Sequence, residues 1–143
     1  MTAQNQDTAL TLDCKVESQE NLYHVTGTFQ CQLVVPFDGD ELDQIESKIE
    51  KAGQEFKRQL TRQLLENADQ RIAEVAQVAN PQLHKHGTRP FTIVARYGEV
   101  QFQRQRLFDP KKTKDNTFIP SAVAWKTSQR RHLTAGLVDA AFV

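Results

Sequence analysis

Two cysteines, one tryptophan and one methionine stand among 143 residues, and no run of apolar residues is long. Each scarcity excludes something. Cys14 and Cys31 lie in separate strand-like segments, without CxxC spacing and without a histidine pair beside either. Neither a zinc site nor a disulfide framework is therefore indicated, and both are expected as buried free thiols. A helix that crosses a membrane needs about 18 to 20 consecutive apolar residues, and nothing here approaches that. The opening MTAQNQDTALT has neither the basic nor the apolar region of a signal peptide, which predicts a cytoplasmic protein without membrane contact. Phosphate-cradling glycine loops, nucleophile elbows and full metal-ligand sets are missing too. No catalytic residue, cofactor, metal or small-molecule ligand is expected, and the chain reads as a non-enzyme.

What is present is charge, and it is segregated. Eighteen bases balance eighteen acids, but residues 1–50 hold two bases against ten acids, a balance of −8. Residues 51–80 hold five against four, and residues 81–143 hold eleven against four, a balance of +7. An acidic arm and a basic half facing nucleic acid would give this pattern. Electrostatic pairing between the two halves would give it equally.

Hydrophobic periodicity supplies the elements. Thr8 to Val16 alternates, with Leu10, Leu12, Cys14 and Val16 on one face, and Leu22 to Val35 is rich in β-branched and aromatic residues around a Thr26-Gly27-Thr28 interruption. The two segments predict a hairpin or meander with its turn at Ser18 to Asn21. Asp38 or Asp40 then caps a long amphipathic helix over residues 40–80, with a stripe at Leu42, Ile45, Ile49, Ala52, Phe56, Leu60, Leu64, Ala68, Ile72, Val75 and Ala79. Asn80-Pro81 ends it. At about 1.5 Å per residue such a rod outruns a small domain, so part of the stripe needs a further partner. Either an intermolecular coiled coil, giving a homodimer through residues 42–79, or a helix lying across a sheet would supply it, although Gln59 and Gln63 interrupt a strict heptad and Gly53 weakens the middle.

Residues 81–90, PQLHKHGTRP, read as a polar connector into the clearest hairpin of the chain, Phe91 to Tyr97 and Val100 to Arg106 about a Gly98-containing turn. Val100, Phe102, Arg104 and Arg106 share one face of its second strand. A basic loop, Asp109 to Asn116, follows; Phe118 to Trp125 return to a core, and Thr127 or Ser128 caps a terminal helix over about Gln129 to Ala141. The fold class this predicts is α+β, with antiparallel β-hairpins, one long amphipathic helix and a C-terminal helix. Its segments are an N-terminal hairpin (1–36), the long helix (40–80) and a basic hairpin with terminal helix (88–143), together one domain.

The hairpin pattern Thr92-x-x-x-x-Tyr97-Gly98-Glu99-Val100-x-Phe102-x-Arg104-x-x-Leu107-Phe108 resembles a segment of DDE insertion-sequence transposases of the mutator-like, ISKra-type and ISLre-type groups. The order of long helix, basic connector, hairpin and helix agrees from Ile45 to about Ala140. The resemblance implies the amino-terminal, DNA-facing part of a mobile-element transposase, whose metal-binding catalytic carboxylates would lie downstream of Val143. It therefore implies an accessory domain, a truncated remnant or a free-standing regulator, with nothing catalytic to carry over. Relatives also place cysteine pairs for zinc beside the hairpin, where this chain has only His84 and His86.

The candidate DNA-binding residues are Arg89, Arg96, Arg104, Arg106, Lys111, Lys112, Lys114, Lys126, Arg130 and Arg131. Cationic side chains in such density displace counterions from phosphates. A solvated basic face is the plainer account, with Glu99, Asp109 and Asp115 neutralising part of it. Other combinations have plainer explanations: His84 and His86 as part of a basic linker, Ser121, Ser128, His132 and Asp139 as a chance assortment of triad residue types, and Trp125 as a core residue rather than a base-stacking one. A protein interaction or regulatory module dimerising through the long helix is the alternative function.

Overall fold

Alternation of apolar and polar residues builds the first element pair, as the sequence leads one to expect. The computed structural model describes residues 8–127 and 130–135. Strands β1 (Thr8–Gln19) and β2 (Leu22–Leu33) form a two-stranded antiparallel sheet. The connection is only Glu20 and Asn21, with Glu20 in the left-handed region at φ 59°. The Thr26-Gly27-Thr28 segment does not interrupt β2: Gly27 stays in register opposite Cys14. Leu10, Leu12, Cys14 and Val16 share a face with Cys31, Phe29, Gly27 and Val25 through that register. Both cysteines are free and only half-buried, a correction to the expected burial.

Helix α1 (Glu41–Ala79) runs for 39 residues, close to the sequence-derived bounds. Its entrance is organised by two carboxylates. Asp38 accepts the Asp40 amide at 3.0 Å, and Glu41 accepts the Gly39 amide at 2.8 Å. That amide bond, together with its own backbone, holds the Glu41 carboxyl below its ordinary pKa. Asn80 donates to Ala76 and accepts from Leu83, which closes the last turn before the chain leaves at Pro81.

The chain groups into two compact units, residues 1–61 and 62–143, and the boundary falls inside α1. In the first unit Phe29 meets Phe56 edge-on at 4.7 Å between ring centroids. Beside them a cavity of about 270 Å³ is lined by Phe29, Cys31, Leu33, Ile49, Ala52, Gly53 and Phe56. Leu12 and Ala52 are the only buried apolar residues among the described ones of this unit, while Phe37 is 97% and Leu42 86% exposed.

The second unit holds a four-stranded sheet in the order β5-β4-β3-β6, separate from the first hairpin. Its strands are β3 (His84–Ala95), β4 (Gly98–Phe108), β5 (Thr117–Phe118) and β6 (Arg131–Leu133). Phe91, Phe102, Leu107, Asp69 and Ser121 are its largest fully buried side chains. The expected connector over 81–90 is corrected here: β3 begins at His84, and the register shifts between Lys85 and Thr88, with Gly87 at φ 85°. Pro90 fits inside the strand because its missing N–H faces the same edge as the Thr92 amide. That edge acquires a partner only from Thr92 onward.

Between β5 and β6 lies a short helix, α2 (Pro120–Ala124), with proline in its first turn. The expected helix from Gln129 is corrected over its first residues. Arg131–Leu133 is a strand parallel to β3, anchored by Thr92 donating to Arg130 O and Thr134 donating to Val94 O. Backbone groups on the open edge of β3 found their partners in these residues, which an isolated amphipathic pattern does not register. Ser128 and Gln129, and residues 136–141 of that expected helix, lie outside the described residues. Thr127 is no helix cap but a buried acceptor in the core. The whole is an α+β protein, and no helix among the described residues is long and apolar enough to cross a membrane.

Candidate nucleic-acid interface

The β3-β4 hairpin positions most of the candidate cations, and its pleat sorts them. Cross-strand pairs Ile93↔Val100, Phe91↔Phe102 and Arg89↔Arg104 lie on one face. Val100, Phe102 and Phe91 on that face are buried, with Phe91 and Phe102 in edge-to-face contact at 5.8 Å. Phe102 also meets Trp125 at 6.2 Å, so the tryptophan serves the core.

Arg104 follows these aromatics inward, which corrects its assignment as a phosphate ligand. It is 3% exposed, and its guanidinium carbon lies 3.8 Å from the centre of the Phe91 ring. Nη1 donates to Thr127 Oγ1 at 2.9 Å and reaches Thr127 O at 3.4 Å. Asp69, 1% exposed, accepts the Gln105 amide at 2.8 Å. Burial pushes the Asp69 carboxyl up from its ordinary pKa, against the opposing pull of the Ser121 hydroxyl, the Gln105 amide and the Arg104 charge. Burial likewise lowers the Arg104 pKa, and Asp69 opposes this. Helix α1 thus protects the β4 edge: Glu66 accepts the Gln103 amide at 3.5 Å, two residues from the amide that Asp69 takes. Sequence periodicity missed Asp69, because it sits beside the apolar stripe rather than in it. A carboxylate one position from Ala68 was the only available signal.

The remaining cations fall into separate groups. Arg106 donates through Nε to His86 O at 3.0 Å, at the bulged end of the hairpin. Register places Lys85 opposite Leu107 and His84 opposite Phe108 at that same end, and His86 packs on Phe108 at 5.7 Å. The loop after β4 continues from there. Asp109, itself buried, organises it: its side chain accepts the Lys111 amide, its carbonyl the Lys112 amide, and its own amide donates to Asn116 O. Lys111, Lys112 and Lys114 are exposed on this held loop. Asp109 therefore serves as a scaffold more than as a neutralising charge, and Asp109-Pro110 was the turn signal that could have suggested it.

Elsewhere, Arg96 occupies the opposite end, at the turn between β3 and β4. Arg89 is exposed opposite the buried Arg104, and Lys126 is exposed just after α2 with φ 57°. Arg130 precedes β6, and Arg131 on β6 is ion-paired with Glu99 across the sheet. The ten candidates therefore do not make one patch. Arg106 and the three loop lysines are brought together at the end that also holds Lys85, His84 and His86; Arg104 is withdrawn. Among the described residues no group of three or more His, Cys, Asp or Glu side chains is placed to hold a metal ion.

The fold and this geometry define an α+β chain with a basic second unit: residues 62–143 carry thirteen bases against seven acids. The chain matches no protein-family model, no curated protein and no solved structure.

Proposed function

We propose that this chain is a non-catalytic DNA-binding and assembly domain of the kind found in the amino-terminal regions of insertion-sequence transposases, acting in the cytoplasm. The observation that carries the reading is the held basic loop. Lys111, Lys112 and Lys114 stay exposed on a turn fixed by a buried aspartate, next to Arg106 and Lys85. Ordered cations lose less freedom on meeting phosphates than cations on a slack chain. The resemblance of the Thr92 to Phe108 segment to transposases supports the same reading. Titration of the chain against a labelled mixed-sequence duplex at about 50 and about 200 mM salt tests it. Affinity should fall steeply between the two concentrations, as counterion release requires. Absence of binding at the lower salt would remove the proposal.

A second reading, an interaction module that dimerises through α1, is favoured by Leu42, Ile45 and Ile49, all exposed in the first unit. Sedimentation over a range of concentrations, beside the DNA titration, separates the two: self-association without DNA affinity supports the second, and DNA affinity supports the first.

A further inference from the structure

The outward face of the β3-β4 ribbon has a composition that solvation alone does not ask for. Residues alternating with the buried aromatics are Thr88, Pro90 and Thr92 on β3, facing Gln105, Gln103 and Gln101 on β4. Gln101 and Gln103 are exposed, and Thr88 donates through Oγ1 to Gln103 Oε1 at 3.2 Å. The only carboxylate on the face, Glu99, is ion-paired with Arg131. In a unit rich in charge, this strip is neutral, and every side chain in it except Pro90 both donates and accepts hydrogen bonds.

We infer that this face reads base edges in the major groove of duplex DNA, with Gln101 and Gln103 as the specificity-determining side chains. The inference rests on the DNA-binding reading above and adds to it a reading element. A two-stranded ribbon, with strands about 4.8 Å apart, fits a major groove about 12 Å wide. Glutamine matches the adenine edge there through two hydrogen bonds, one donated and one accepted. Two residues apart on one strand, Gln101 and Gln103 project to the same side and are separated by about 6.8 Å of strand rise, which is two base-pair steps. Charge complementarity identifies the occupant. Lys85 and the loop lysines stand at one end of the strip and Arg96 at the other, where they would meet the phosphate walls while the neutral strip meets the bases. The inner face of β4 is already occupied, since Phe102 packs on Trp125 and Arg104 on Thr127. Only the outward face is open to a groove.

The test uses the full chain and a duplex library with a randomised core, followed by anisotropy titrations on the enriched duplex and a scrambled one at equal salt. The expected result is an enriched core containing adenine, preferred over the scrambled duplex by about tenfold to a hundredfold. In the Gln101→Ala, Gln103→Ala double variant that ratio should fall towards one, with affinity for the scrambled duplex held within about twofold. Thermal unfolding of the double variant verifies that the fold persists, as expected for two outward side chains. No enrichment by a chain that binds scrambled duplex, or a preference that survives in the double variant, overturns the inference and leaves the DNA-binding reading standing. Failure to bind any duplex at about 50 mM salt removes that reading, and the inference with it.

Discussion

The two units share one helix but differ in how they are held together. Residues 1–61 carry five bases against eleven acids and bury little: Leu12 and Ala52 are covered, while Tyr23, Val25, Phe29, Ile45 and Ile49 stay substantially exposed. Residues 62–143 carry the opposite charge and bury Phe91, Phe102 and Leu107 almost completely, along with Asp69, Arg104 and Ser121. A two-stranded ribbon with one helix segment has few surfaces to set against each other, whereas four strands can be covered by helix and loop.

Aromatic truncation should break this contrast most visibly. Phe102→Ala is expected to destabilise by about 3 to 5 kcal/mol in denaturant unfolding, because a fully buried ring leaves a cavity. Phe29→Ala, at a ring 42% exposed, should cost about 1 to 2 kcal/mol, since less apolar area leaves water there. Equal costs would mean that the first unit is better packed than its exposure indicates. Arg104→Ala tests whether the second unit depends on its buried charge. Removing the guanidinium strips Thr127 and the Phe91 ring of a partner and leaves Asp69 without a compensating cation, for an expected loss of about 3 to 5 kcal/mol.

A smaller effect follows from Asp69. Its pKa is raised in the native state, chiefly by burial, so between the ordinary value near 3.9 and the raised one the native protein binds more protons than the unfolded chain. Stability should accordingly decline as pH rises through that window. Asp69→Asn should flatten that decline in urea midpoints measured across it, and a slope that survives the substitution would assign the effect to another group. Least of all in stability, Lys111→Ala, Lys112→Ala and Lys114→Ala together should change unfolding by less than about 0.5 kcal/mol. The same triple variant should weaken DNA binding and reduce the slope of log affinity against log salt by about 2 to 3. Unchanged affinity would move the contact surface to the cations beyond this loop.

Local patterns made much of this legible. Alternation in Leu10 to Val16 and in Phe91 to Arg106 gave both hairpins, and the proline after Asn80 gave the end of α1 within a residue. The strand at Arg131–Leu133 was not legible, since its partner is the edge of β3, 39 residues earlier in the chain. Nor was the buried end of β4. Arg104 and Arg106 are alternate positions on one face of one strand, and only the first meets Thr127 and an aromatic ring.

The amino-acid sequence by itself determined the segregation of charge, the α+β class, the length of the helix and the inward face of each hairpin, because these follow from short-range periodicity and from residues that stop it. Tertiary structure alone decided that the chain forms two units cut within a helix, that one candidate cation is a core residue, and that Asp69 and Asp109 shape the second unit. Those outcomes depend on which groups meet across long separations in the chain, where burial and hydrogen bonding outweigh the local preference of any one residue.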